Sequence, residues 1–154
     1  MEHEHDIKLP IDFVPAYRSL VAELFDSDLK PIEGIKEALS ELPQPKAVVS
    51  SAPVAKIEQA LSVCGLTAFF SANIYSSYEV KIWKPDPGIY LFAAKDMGFH
   101  PSDCIVIDDG PVGVKAGFEA GMKTLFYNVF QESCELENVV SFDSMNQLPS
   151  LIRT

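Results

Sequence analysis

The sequence predicts an α/β fold: a three-layer sandwich built on a parallel, doubly wound (Rossmann-like) sheet. Two observations predict it. Apolar runs of strand length alternate with helical stripes long enough to serve as crossovers, the pattern that parallel βαβ units require. And Cys104-Ile105-Val106-Ile107 ends in Asp108-Asp109-Gly110 and flows into a Gly/Ala-rich helix. That places two carboxylates at the C-terminal edge of a buried strand, where open parallel sheets bind ligands.

The elements follow in order. Val14, Tyr17, Leu20, Val21 and Leu24 recur at helical spacing, so residues 13–25 read as an amphipathic helix. Ile32, Ile35, Leu39 and Leu42 mark a second helix, stopped by Pro43 and Pro45. Lys46 to Val49 is a short buried strand running into Ser50-Ser51. Val54, Ile57, Ala60, Leu61 and Cys64 form the next helical stripe, with Gly65 as its stop. Asn73 to Tyr75 is a weak strand. Ile89, Phe92, Ala93 and Met97 line a helix that precedes the Cys104–Ile107 strand. A helix over Pro111–Ala120, a strand over Thr124–Tyr127, a short edge strand over Val139–Phe142 and a closing helix over Met145–Ile152 complete the chain.

At 154 residues the chain suits one domain with a sizeable core, and its 47% hydrophobic and 22% charged content is that of a globular protein. The net charge of -10 and the lack of Lys/Arg clusters argue against nucleic-acid binding. No apolar run reaches membrane-spanning length, and Met1 to Asp6 lacks the cationic and apolar regions of a signal peptide. Cys64, Cys104 and Cys134 are odd in number and widely spaced; Cys64 and Cys104 read as buried thiols of a reducing compartment. The expected location is the cytoplasm. His3 and His5 form an HxH pair with weak metal-binding potential, in a lead-in whose expected state is a frayed tail.

Three places could carry chemistry. Asp108 and Asp109 suit a hard cation such as Mg2+, which takes oxygen ligands and keeps waters; an acidic turn capping the next helix is the plain alternative. Ser50, directly after a strand, offers a hydroxyl and neighbouring amides to a phosphate, whereas a helix N-cap by Ser51 with Pro53 in the first turn fits equally well. Lys84, between Lys81-Ile82-Trp83 and Pro85-Asp86-Pro87, sits in a restricted segment that could aim an ammonium at an anion, or is simply a surface loop lysine.

Their order and spacing resemble motifs two, three and four of the haloacid dehalogenase-like hydrolase superfamily. Phe25 to Asn128 is similar to the branch of phosphatases and phosphomutases with a helical cap, through Pro31-Ile32-Glu33-Gly34-Ile35, Val48-Val49-Ser50-Ser51-Ala52-Pro53, Lys84-Pro85-Asp86-Pro87-Gly88-Ile89-Tyr90, and the acidic pair with Gly113, Ala116, Ala120 and Gly121. The resemblance implies an Mg2+-dependent phosphate monoester hydrolase acting on a small phosphorylated metabolite such as a sugar phosphate. Ser50 would bind the transferring phosphoryl group and Ser51 add a backbone contact. Lys84 would neutralise developing charge, and Asp109, assisted by Asp108, would ligate Mg2+. Gly110 departs from the Ser or Thr usual after the acidic pair, and Gly117 from the usual small helix former.

Members of this family begin with an apolar strand ending in Asp-x-Asp, whose first Asp is the nucleophile. Phe25-Asp26-Ser27-Asp28 imitates that motif, but the residues before it carry helical periodicity, and Asp26 lies 24 positions before Ser50, too few for the segments that normally intervene. The expectation is therefore that residues 1–25 are a residual cap helix with its lead-in and 26–154 the core. The nucleophile strand and most of the cap would be absent, and Asp26 and Asp28 would be turn and N-cap residues. Because that strand is normally central, its absence would either bring the strands ending at Ser50 and Asp108 together or leave an apolar slot for another segment or chain, a homodimer included. The competing readings are an active compact phosphatase using Asp26 and Asp28, a non-enzymatic binding or assembly protein, and, last, a receiver-like signalling domain. Whether Phe25-Asp26 ends a strand or a helix separates the first from the truncated core.

Overall fold

A computed structural model describes residues 10–70 and 73–153, so His3 and His5 lie outside the described residues. All observed strand pairs are parallel. β1 (Val48–Ser50) pairs with β2 (Ile74–Ser76), Val49 opposite Tyr75 and Ser50 opposite Ser76. β3 (Ile105–Asp108), β4 (Lys123–Tyr127) and β5 (Val140–Phe142) form a second sheet in that order, with β5 at the edge. The helices are α1 (Phe13–Asp28), α2 (Ile35–Glu41), α3 (Val54–Val63), two single turns α4 (Thr67–Phe70) and α5 (Ser77–Val80), α6 (Gly88–Asp96), α7 (Pro111–Glu119) and α8 (Leu148–Arg153). A 3-10 turn, Met145–Gln147, leads into α8.

The three layers follow from strand alternation, which sends successive side chains to opposite faces. Val106 of β3 points to one face and packs with Ile89, Tyr90 and Ala94 of α6 and Ala116 of α7. Leu125 of β4 and Phe142 of β5 point to the other, against Ala38 of α2, Met145 and Leu148. Pro111, whose fixed φ suits a first helical turn, opens α7. Gly65 follows α3 at φ 65, a left-handed stop that a side chain would strain.

The strands form two separate sheets. β1 and β3 are not paired with each other, and a cavity of about 500 Å3 lies between them, lined by Ala47 and Val49 on one side and Ile105 and Ile107 on the other. The strands ending at Ser50 and Asp108 are thus not brought together; an open slot separates them. It explains why Ile107, in the middle of a core strand, is 39% exposed, while its register partner Leu125 is fully buried.

Several local expectations change. Phe25 and Asp26 lie in the last turns of α1, which runs three residues past the expected end, to Asp28. Asp26 and Asp28 are thus helical rather than turn residues, and Gly34, not either of them, precedes α2 as its cap. The apolar stripe of α1 is not core: Phe13, Val14, Tyr17, Leu20 and Leu24 are exposed, and only the C-terminal part packs, onto α3. There Gln59 Nε2 donates to the Ala22 carbonyl and to Asp26 Oδ1, and the Lys56 ammonium lies 5.1 Å from the centre of the Phe25 ring. Cys64 is buried as expected. Cys104 is only half-buried, because it precedes β3 on the wall of the open slot.

Candidate functional site

The site forms at the C-terminal ends of β1 and β3. Val49 and Ile107 line the same slot, and each is followed by the polar residue that ends its strand, Ser50 in β1 and Asp108 in β3; Ser50 itself lines a separate pocket with Phe25, Leu29, Val48 and Ala52.

Asp108 is the best-held group there. Its Oδ2 accepts from Lys84 Nζ at 2.5 Å and from the Tyr90 hydroxyl at 2.8 Å, and its Oδ1 accepts from the Gly110 backbone N–H at 2.9 Å. The Lys84 and Asp108 side chains are 11% and 12% exposed, so this is a largely desolvated ion pair that depends on its extra hydrogen bonds. Close approach of α7 to the carboxylate is possible because residue 113 is glycine: a Cβ there would sit 2.1 Å from the Asp108 carboxylate.

Lys84 reaches Asp108 from the segment before α6. The Lys84–Pro85 peptide is cis, and Asp86 Oδ1 accepts from the Gly88 N–H at 2.8 Å at the start of the helix. Two residues further on, Tyr90 places its ring centre 5.0 Å from the Lys84 ammonium. Burial, and then the negative charge of Asp108, push the Tyr90 phenol well above its usual ionisation range, so it remains a hydrogen-bond donor.

Asp109 is exposed and has no hydrogen bond or ion pair among the described residues. The two acids therefore differ: Asp108 is committed to the protein, and Asp109 is available. Ser50 is half-buried; its Oγ accepts from the Ala52 N–H at 3.1 Å, which leaves the hydroxyl proton free to donate elsewhere. Ser51 is exposed and does not cap α3, whose preceding residue is Pro53, so the N-cap alternative for Ser51 is not what forms. Ser76, fully buried, donates to the Ala52 carbonyl at 2.6 Å and accepts from the Tyr78 N–H, fixing the loop after Ser50 from below.

The donor set can be tested against Mg2+. No group of three or more His, Cys, Asp or Glu side chains could hold a metal among the described residues. Mg2+ does not need one, since it is commonly held by one or two carboxylates together with waters and substrate phosphate. An unpaired carboxylate on Asp109 beside a fixed Asp108 fits that mode.

Lys84, Asp108 and the position of Ser50 were legible in the sequence. Tyr90 and Ser76 were not singled out. Tyr90 stood in the Lys-Pro-Asp-Pro motif, but nothing in the sequence reports that a helix turn brings its hydroxyl to Asp108.

Residues 2–121 match the family model described as haloacid dehalogenase-like hydrolase. A 6-phosphogluconate phosphatase from Escherichia coli (strain K12) is 34% identical over 137 residues, covering 88% of this chain and 62% of that protein. The chain thus spans about three-fifths of that relative's length. Among solved structures, a conserved haloacid dehalogenase-like protein from Agrobacterium tumefaciens str. C58 aligns over 99% of this chain and 73% of its own, with a TM-score of 0.81 and 26% identity. A hydrolase from Deinococcus radiodurans R1, solved with bound phosphate and sodium, aligns over 99% and 72% with a TM-score of 0.77 and 27% identity. No helix among the described residues is long and apolar enough to cross a membrane.

Proposed function

The chain belongs to the haloacid dehalogenase-like hydrolases, and from that premise we propose that it is the core of an Mg2+-dependent phosphatase for small phosphorylated metabolites of the sugar-phosphate class. The observation that carries the reading is the Lys84–Asp108 ion pair beside an unpaired Asp109 at the C-terminal end of β3, with Ser50 at the C-terminal end of β1. The 6-phosphogluconate phosphatase relative supports the substrate class.

The roles follow from the geometry. Ser50, with its proton free, donates to a phosphoryl oxygen, and the exposed Ser51 adds a backbone contact. Lys84 already faces a carboxylate oxygen and would exchange part of that contact for the phosphate. Asp109, with Asp108 behind it, would hold Mg2+, which when bound neutralises the phosphate's charge. The chain's own residues thus bind and orient the phosphoryl group and stabilise charge.

The nucleophile is the remaining part. Asp26 lies in the last turn of a helix, accepts from Gln59 and is exposed, which speaks against a compact mechanism through Asp26 and Asp28. In this reading the slot between β1 and β3 takes an extended apolar strand, parallel to both, ending in a carboxylate beside Ser50 and Lys84. Two open parallel edges facing one apolar cavity are the geometry such a strand fits. Residues 1–25 would be cap-derived and 26–154 core, with the covalent step depending on the inserted strand.

The test is phosphate release from an aryl phosphate with Mg2+, alongside calorimetry with Mg2+ and inorganic phosphate. The 154-residue chain should bind both, lose Mg2+ binding in Asp109→Asn, and release phosphate only at background rate. Turnover abolished by Asp26→Asn would overturn the incomplete-site reading, and failure to bind either ligand would overturn the phosphatase reading. The exposed stripe of α1 favours a second reading, in which a second copy covers it and closes the slot. Native mass spectrometry showing only monomer would remove that version.

A further inference from the structure

The motif resemblance assigns Tyr90 no role, yet it touches both partners of the ion pair. It sits on α6, 7% exposed; its hydroxyl is 2.8 Å from Asp108 Oδ2, and its ring centre is 5.0 Å from Lys84 Nζ. The two contacts use different parts of one side chain. The hydroxyl shares the carboxylate oxygen that Lys84 also uses, so it draws off part of that oxygen's charge and fixes the carboxylate plane. The ring face lies against the ammonium and holds it at the strand end independently of the carboxylate. Tyr90 also lines the slot, so whatever fills the slot meets the same ring.

We propose that Tyr90 is a positioning residue for this site: its hydroxyl orients Asp108 for the metal, and its ring orients Lys84 for the phosphate. The inference rests on the reading of this edge as an Mg2+ and phosphate site, and goes beyond it by assigning each ligand to a separate part of one side chain.

A plain packing role would move stability and both affinities together, whereas the positioning role separates them. In Tyr90→Phe the ring stays and the hydroxyl goes. Mg2+ affinity should fall roughly tenfold, as expected for loosening the carboxylate that stands behind the metal-holding Asp109, while inorganic phosphate affinity changes less than about twofold. In Tyr90→Leu phosphate affinity should also fall, by about two- to fivefold, the range for a lost cation–π contact. NMR of the ligand-free protein gives a readout that does not need either ligand. The Lys84 ε-protons should be shifted upfield by the Tyr90 ring in wild type and in Tyr90→Phe, and return to ordinary lysine values in Tyr90→Leu. Parallel loss of both affinities in Tyr90→Phe, or Lys84 ε-protons at ordinary positions in wild type, would overturn the proposal. If wild type binds neither ligand but the Lys84 shift follows the expected pattern, the positions stand and the phosphatase reading is what fails. Unfolding midpoints of both variants show whether either has lost its fold.

Discussion

Gly113→Ala isolates the contact between α7 and the site. The added methyl would lie 2.1 to 2.2 Å from three atoms of the Asp108 carboxylate, far inside van der Waals contact. Either α7 moves out or the carboxylate swings away and gives up its bonds to Lys84, Tyr90 and Gly110. Overpacking of this kind costs about 1–3 kcal/mol, and breaking bonds to a charged group costs about 1.5–3 kcal/mol each. The better helix propensity of alanine returns at most about 1 kcal/mol. If α7 yields, the net loss is up to about 3 kcal/mol; if the carboxylate gives up all three bonds, it is larger, about 3.5–8 kcal/mol. Gly117→Ala is the matched control, because its methyl would meet Val106 and Thr124 at 2.8 to 2.9 Å and leave Asp108 untouched. Urea unfolding and Mg2+ calorimetry on both variants separate the effects. Both should be destabilised, but only Gly113→Ala should also lose Mg2+ affinity. Wild-type stability together with unchanged Mg2+ binding in Gly113→Ala would refute the argument that this glycine exists to admit the carboxylate.

Three further outcomes are expected. Leu125→Ala should cost about 2–5 kcal/mol, whereas its register partner Ile107, 39% exposed on the open slot, should cost no more than about 1.5 kcal/mol as alanine; chemical denaturation giving equal losses would mean that the slot is filled in solution. Ser76→Ala should cost about 1–3 kcal/mol, because the Ala52 carbonyl and the Tyr78 N–H both lose their partner; it should also weaken phosphate binding through the loop after Ser50, and an unchanged phosphate isotherm would count against that coupling. Tyr75 is raised from 10.0 to about 12 by burial and by Asp96, and Tyr90 is raised further by burial and Asp108. Raised folded values favour the protonated form in the native state, so this stability is whole below pH 10 and is lost as pH climbs through 12. Phenolate absorbance should therefore show two of the five tyrosines resisting ionisation until the protein unfolds, and five tyrosines titrating together near pH 10 in folded protein would contradict it.

Much of the fold was written locally. The apolar run of β3 stops at two acids, Pro111 opens α7, and the stripe from Val54 to Cys64 ends at Gly65; each signal lies within a dozen residues of the element it specifies. Lys84 and the acidic pair were legible for the same reason, as polar residues at the ends of recognisable elements. The α1 stripe shows the limit. Its periodicity correctly gave a helix, and equally correctly gave an apolar face, but periodicity does not say that a partner is present to cover that face. Phe25-Asp26 shows the converse, since a motif of four residues was outweighed by the helical pattern preceding it.

The sequence by itself determined the elements, their parallel α/β order and the polar groups at two strand ends, because propensity, periodicity and turn chemistry act between near neighbours. Only the tertiary structure decided that β1 and β3 stand apart across a cavity, that Asp108 is held and Asp109 is not, and that Tyr90 contacts both members of the ion pair. Those outcomes depend on which surfaces pack across long stretches of chain. A shift of an ångström in that packing makes or breaks a hydrogen bond, and no local pattern of residues records it.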